Sequence, residues 1–282
     1  MKSLSVILLL TVSLLVLGVT SCTQVSPELR ARIDKAEERL ENSPKPEPLP
    51  YAEDSYEHFV CNHGYPKTMQ IYRNAELLKQ ADRRSAVHIC LQQQRGRLYV
   101  GGQVAADWPV STGVEGRETP TGTYKVLEKK KEYASNLYGN IKDANGKTVK
   151  RNADITLDEV PEGGMFEGSP MPNWQRLTWD GLGMHTGKVR AGERLSHGCI
   201  RTPSVMATEL FEITSCGSRV HINEEVERCF PLKDLLSFSE EYQAILKTHV
   251  DAQNKLEKLR QQARDEIAAR KKARQEAQNA AS

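Results

Sequence analysis

MHTGKVRAGERLSHGCIRTP, residues 184–203, is the stretch from which the rest of the chain can be read. It places a thiol at Cys199, histidines at His185 and His197, a cation at Arg201, a hydroxyl at Ser196 and bend-permitting glycines at Gly187, Gly192 and Gly198. A nucleophile, a base, a charge and a flexible main chain within so short a span are the components of a nucleophilic acyl-transfer site. The thiolate is intrinsically reactive and its pKa falls readily beside cations or backbone donors. Gly198 lets the chain turn tightly, so that N–H groups near Gly198 and Cys199 converge on a developing oxyanion. Two histidines compete for the role of base. His197 shares a strand face with Cys199 by alternation, and His185 lies across a glycine-bearing loop; spacing alone does not choose between them.

Outward from this stretch the chain alternates rather than spirals. Val87, Ile89 and Leu91 point one way, a polar QQQRGR turn follows, and Leu98–Val100 and Gln103–Val110 continue a β-meander. Ser111-Thr112-Gly113 and TPTGTYKV at 119–126 supply turns and a further strand. The polar, glycine-bearing segment 127–168 is too long for a hairpin loop and reads as an insertion near the site, with a strand pair around Ile141 and Val149. After Pro203, Met206, Leu210, Phe211 and Ile213 keep helical spacing, and residues 219–222 form a closing strand. The fold class is therefore mainly β with a short helix.

The flanks differ in kind. The apolar run from Leu4 to Val19 reads as a secretory h-region, and it ends at Val19-Thr20-Ser21-Cys22, which is similar to a bacterial lipobox. Signal 1–21, lipidation of Cys22, and attachment to a membrane, preferably an outer membrane facing the periplasm, are expected. Residues 22–50 form a charged, Pro-rich tether, with Leu29, Ile33, Ala36 and Leu40 marking a short helix before the alternating prolines. Residues 51–84 are a lead-in to a catalytic domain at 85–223, and 224–282 form a helical tail, solvated or partly disordered, able to engage a protein partner. In an oxidising compartment Cys61, Cys90, Cys216 and Cys229 permit three pairings, between which sequence does not choose, and chain proximity favours Cys61 with Cys90 and Cys216 with Cys229. No regular Cys/His ligand spacing appears, so neither metal nor other cofactor is expected. A formal charge of +2 gives no sign of a nucleic-acid partner.

His185-Thr186-Gly187 followed by Ser196-His197-Gly198-Cys199-Ile200-Arg201 resembles the signature of L,D-transpeptidases with the YkuD catalytic domain, and the likeness extends through STG, TPTGTYKV and MPNWQRLTWDGLGMH over roughly 85–222. The resemblance implies a YkuD-like β-sandwich. In it Cys199, activated by His185, attacks the diamino-acid carbonyl of a peptidoglycan tetrapeptide stem, releases D-alanine, and passes the acyl group to an amine. It further implies that Ser196, His197 and Gly198 support the site, and that Arg201, Gly187 and Trp174 meet substrate. A non-catalytic peptidoglycan-binding scaffold and an L,D-carboxypeptidase are the alternatives.

Overall fold

The computed structural model describes residues 25–62, 64–82, 84–225 and 233–280. The signal segment, Cys22 and Cys229 lie outside the described residues. Two compact units are present: residues 48–243, and the chain on either side of them, up to 47 and from 244.

Among its described residues the larger unit contains thirteen strands. In chain order they are β1 Tyr72–Arg73, β2 Ala86–Cys90, β3 Arg95–Val100, β4 Gln103–Pro109, β5 Gly122–Lys125, β6 Glu128–Lys130, β7 Ala134–Lys142, β8 Thr148–Asp154, β9 Met165–Pro170, β10 Trp174–Arg176, β11 Gly183–Thr186, β12 Ile200–Thr202 and β13 Arg219–Asn223. A six-stranded sheet runs β1-β4-β3-β2-β13-β5, a four-stranded one β12-β11-β10-β6, and a three-stranded one β8-β7-β9. The main core lies between the first two. Val87, Ile89, Leu98, Trp108, Val220 and Ile222 face Met184 and Ile200, together with Met206 and Leu210 of helix α4, Ser204–Ile213. This is the mainly β sandwich with a short helix that the alternation predicts, since residues two apart share a sheet face. The insertion is real as well: β7 and β8 pair through Ile141 and Lys150, and β9 completes a small sheet.

The RGR segment departs from the expected turn. Arg95, Gly96 and Arg97 are strand residues, and both arginines are fully buried on the face of β3 opposite the main core. Asp107 of β4 binds both, its Oδ1 2.7 Å from Arg95 Nε and its Oδ2 3.0 Å from Arg97 Nε. Tyr56 and Tyr65 donate to the same carboxylate at 2.5 and 3.0 Å, and Arg95 also donates to the carbonyls of Thr68 and Gln70. Alternation sets which face a side chain occupies, but not whether that face is covered. Here the lead-in covers it, with α2, Tyr56–Asn62, supplying Tyr56 and Phe59. Its β1 extends the large sheet at β4, so the lead-in is part of the sandwich.

Two further expectations are corrected. Cys61 and Cys90 are both buried and not bridged to each other, because Cys61 packs in the Tyr56–Phe59 cluster while the Cys90 thiol points to the carbonyl of Glu224. Cys216 is exposed and free. The tail is neither solvated throughout nor disordered among the described residues. Helix α5, Lys233–Ala280, presents Leu256, Leu259 and Ala263 to Leu29, Ile33 and Ala36 of α1, Pro27–Glu41. The two helices run antiparallel, with Ser26 bonded to Glu266 and Ser43 to His249. Each apolar stripe is too thin to signal burial alone, and each is completed by the other.

A pair of histidines marks the covered face of the large sheet. His88 and His221 are register partners with ring centroids 4.7 Å apart, and His88 is held to a pKa of about 4, first by burial and then by His221 and Arg97.

Candidate active site

β11 and β12 are parallel neighbours, with Met184 opposite Ile200 and His185 opposite Arg201. Met184 and Ile200 point into the core, so His185, Arg201 and the preceding Cys199 share the other face. His185 and Cys199 are therefore diagonal neighbours across the pair, a separation of about 7 Å at Cβ that an imidazole can bridge. Parallel neighbours need a long return, and residues 187–199 provide it. Gly192 (φ 78°) is at the bend of that loop. Leu195 and Ser196 donate their N–H groups to the Thr112 carbonyl, and Arg190 donates to the Ser111 hydroxyl, so the STG segment holds the loop in place.

The turn before Cys199 is held by hydroxyls. Ser196 Oγ donates to the Cys199 carbonyl at 2.5 Å and accepts from the Gly198 N–H at 3.1 Å. Thr119 Oγ donates to the Gly198 carbonyl at 2.6 Å and accepts from the Gly113 N–H. Gly198 has φ 116°, a conformation that favours glycine. Gly113 is required for space, since a Cβ there would lie 1.9 Å from the Arg117 carbonyl oxygen. Of the two N–H groups expected to meet an oxyanion, that of Gly198 is engaged by Ser196 Oγ.

The two histidines occupy different surroundings. His185 is buried, and its Nδ1–H donates to the Thr186 carbonyl at 2.8 Å, which leaves Nε2 as an acceptor. Burial lowers its pKa to about 4 against the opposing pull of that carbonyl, and Arg201 lowers it further. The ring is neutral near pH 7. His197 is exposed, stacks on Tyr138 of β7 at 4.5 Å, and stands near Arg117, which pairs with Asp154 of β8. It joins the motif to the inserted sheet.

Cys199 is half-buried and donates its S–H to the Gly181 carbonyl at 3.4 Å. Burial raises its pKa, outweighing the Gly183 N–H, Arg201 and Arg176, which all pull it down. The sequence expectation of a lowered pKa is corrected accordingly: the resting group is a thiol, and it requires a base. Gly183, absent from the sequence candidates, has no room for a Cβ, which would fall 2.4 Å from the Trp174 ring. Trp174 is only 1% exposed; its ring stacks on Tyr133 at 5.0 Å, lies 6.0 Å from that of His185, and lines the pocket. Gly187 leaves space for Arg201, whose Cγ would be 2.8 Å from a Cβ there.

His185, Ser196, His197, Cys199 and Arg201 open on one pocket of about 660 Å³, walled also by Tyr138 and Asn152 of the inserted sheet and by Trp179. The hydroxyl of Thr119 and the backbone of Gly113 were not singled out from sequence, although both lie in motifs quoted for the resemblance.

Depressed histidine pKa values couple folding to pH. His88 and His185, each at about 4 in the fold against 6.5 ordinarily, bind protons more readily when unfolded. Their contribution to stability is therefore whole above pH 6.5 and lost as pH falls toward 4. The thermal midpoint should drop across that window, and less steeply in His88→Gln; a midpoint that rises on acidification would contradict this.

A β-sandwich that carries a cysteine, a neutral histidine and an arginine in one pocket defines the class. Residues 84–222 match the model of the L,D-transpeptidase catalytic domain, YkuD. Among solved structures, an L,D-transpeptidase from Mycobacterium smegmatis is similar at 21% identity, with 49% of this chain and 58% of that one covered and a TM-score of 0.38. One from Enterococcus faecium is similar at 24% identity, covering 50% of each chain, with a TM-score of 0.37. The chain thus spans only about half the length of these relatives. Of curated proteins, glutamate rich 3 of Mus musculus is 29% identical over 139 residues, 45% of this chain and 8% of that protein.

Proposed function

We propose that this L,D-transpeptidase domain works through a Cys199 acyl-enzyme on peptidoglycan. The observation that carries the reading is the placement of Cys199 and His185 on one face of the β11–β12 pair, opening on a single pocket. His185 Nε2 takes the thiol proton as sulfur attacks the diamino-acid carbonyl of a tetrapeptide stem. The tetrahedral oxyanion meets the Cys199 N–H. Collapse breaks the C–N bond, the proton passes to the departing D-alanine amine, and a thioester remains. An incoming amine, from a second stem or an anchored protein, then forms the new amide, so the energy of the cleaved bond is kept without ATP. Water in place of the amine gives L,D-carboxypeptidase activity. Peptidoglycan stems are the proposed partners, with Cys22 as a lipid anchor that holds the domain at an extracytoplasmic membrane face.

Purified protein given tetrapeptide muropeptides should release D-alanine and form 3→3 dimers by mass spectrometry; folded protein that yields neither product refutes the reading. The base assignment has its own test. His185→Ala should slow acylation by about 10² to 10⁴-fold, the usual contribution of a positioned base. His197→Ala should cost less, and the reverse order would transfer the role to His197.

A further inference from the structure

We infer that Asn173 is a positioning residue for His185: it holds Thr186 and so fixes the tautomer and direction of the imidazole, from a place behind the pocket wall. The inference rests on the transpeptidase reading above for what the ring does, and on the bonds between residues 172 and 208 for how the ring is held.

The ring depends on one carbonyl. His185 Nδ1–H donates to the Thr186 carbonyl at 2.8 Å, and a histidine with its hydrogen on Nδ1 presents Nε2 as the acceptor. Of the influences on the His185 pKa, burial and Arg201 lower it and the Thr186 carbonyl raises it. Where that carbonyl points therefore decides whether Nε2 is available to take a proton.

Thr186 is the last residue of β11, and it is tied down on several sides. Its N–H donates to the Pro172 carbonyl at 2.8 Å, and the next N–H, that of Gly187, donates to the Thr202 carbonyl at 3.1 Å. Its hydroxyl accepts from Asn173 Nδ2 at 3.2 Å. The first and the last of these bonds come from the turn that precedes β10, within the MPNW run of the sequence. Asn173 has φ 55° there, in the left-handed region that asparagine tolerates better than most residues. With the chain so turned, the Pro172 carbonyl and the Asn173 amide reach the same threonine.

The amide has a second acceptor. Asn173 Nδ2 also donates to the Thr208 hydroxyl of α4 at 3.1 Å, which ties the end of β11 to a helix whose Met206 and Leu210 are seated in the main core. A primary amide has two N–H hydrogens, one for each hydroxyl. Asn173 itself is buried, its backbone N–H donates to the Lys131 carbonyl at 2.8 Å, and it is not among the residues that line the pocket. Its effect on the reaction thus runs through Thr186.

Two variants separate the turn from the amide. Asn173→Gly keeps the left-handed turn and deletes the amide, whereas Asn173→Asp keeps the turn and accepts from both hydroxyls. The full-length protein, labelled with nitrogen-15, is studied by NMR of its histidine rings near pH 7, with His185 assigned by its loss in His185→Gln. The parent and the Asp variant should show a single His185 tautomer with the hydrogen on Nδ1, and the Gly variant a mixture of both. With a tetrapeptide stem, the Gly variant should acylate at Cys199 about 10- to 10²-fold more slowly at unchanged KM, the scale of misplacing a reacting group by about an ångström. The Asp variant should recover most of that rate. A merely structural link between β10 and α4 would lower the thermal midpoint of the Gly variant and leave the ring as it is. A Gly variant with an unchanged His185 tautomer, or with the parent's rate where the parent acylates, overturns the inference. If the parent acylates with no stem, the transpeptidase reading falls, and the ring spectra still decide whether Asn173 sets His185.

Discussion

Cys199→Ala should abolish acylation and cut D-alanine release by on the order of 10⁴-fold, the scale of losing a nucleophile that acts as a unit with its base. The expectation follows from the surroundings of the thiol. Cys199 sits half-buried with its S–H on the Gly181 carbonyl and a raised pKa, so it is protonated at rest, and the neutral His185, opposite Arg201 on the same sheet face, is the proposed base. The neighbouring Ser196 does not substitute for sulfur, because its Oγ is committed to the Cys199 carbonyl and the Gly198 N–H. Stem binding should persist in the variant, because Arg176, Lys188 and Arg201 remain. Isothermal titration and a D-alanine assay on the same sample separate the two effects. A scaffold that merely holds peptidoglycan predicts unchanged binding with no D-alanine release from either protein, and release by the variant within tenfold of the parent would contradict Cys199 as the nucleophile.

Asp107→Ala should destabilise the larger unit by about 3–5 kcal/mol, the cost of leaving buried charge without its partner. One carboxylate serves Arg95, Arg97, Tyr56 and Tyr65, and its removal strands two fully buried guanidiniums at once. The lead-in should loosen with it, since Tyr56 and Tyr65 belong to the segment laid over that face of the sheet. Urea unfolding gives the stability change, and hydrogen exchange in residues 56–73 locates it. A loss below about 1 kcal/mol would mean that the cluster is poorly paired and contributes little.

These two sites also mark how far the residues could be read without coordinates. The sandwich was legible because β2, β4 and β13 alternate and because Pro and Gly punctuate the returns. The pocket was legible at Cys199, His185 and Arg201 because motif residues cluster in a span short enough to constrain them. Three things were hidden. Arg95 and Arg97 read as turn residues because nothing local reveals that Tyr56, Tyr65 and Asp107 will cover and neutralise them. The stripes of α1 and α5 are separated by some two hundred residues, and each is too sparse to declare a partner. The surroundings of the two histidines were the third: His185 is buried against Trp174 with its Nδ1–H on the Thr186 carbonyl, and His197 is exposed against Tyr138 of the inserted sheet. The disulfide expectation failed for a related reason, because closeness in sequence between Cys61 and Cys90 does not place them in one cluster.

The most direct measurement is intact-mass spectrometry of the protein after brief exposure to the unmodified tetrapeptide, followed by peptide mapping. The account predicts one added mass equal to the stem less D-alanine, mapped to Cys199 and discharged by an added amine. An adduct on another residue, or D-alanine release with Cys199 never modified under rapid quench, would contradict it.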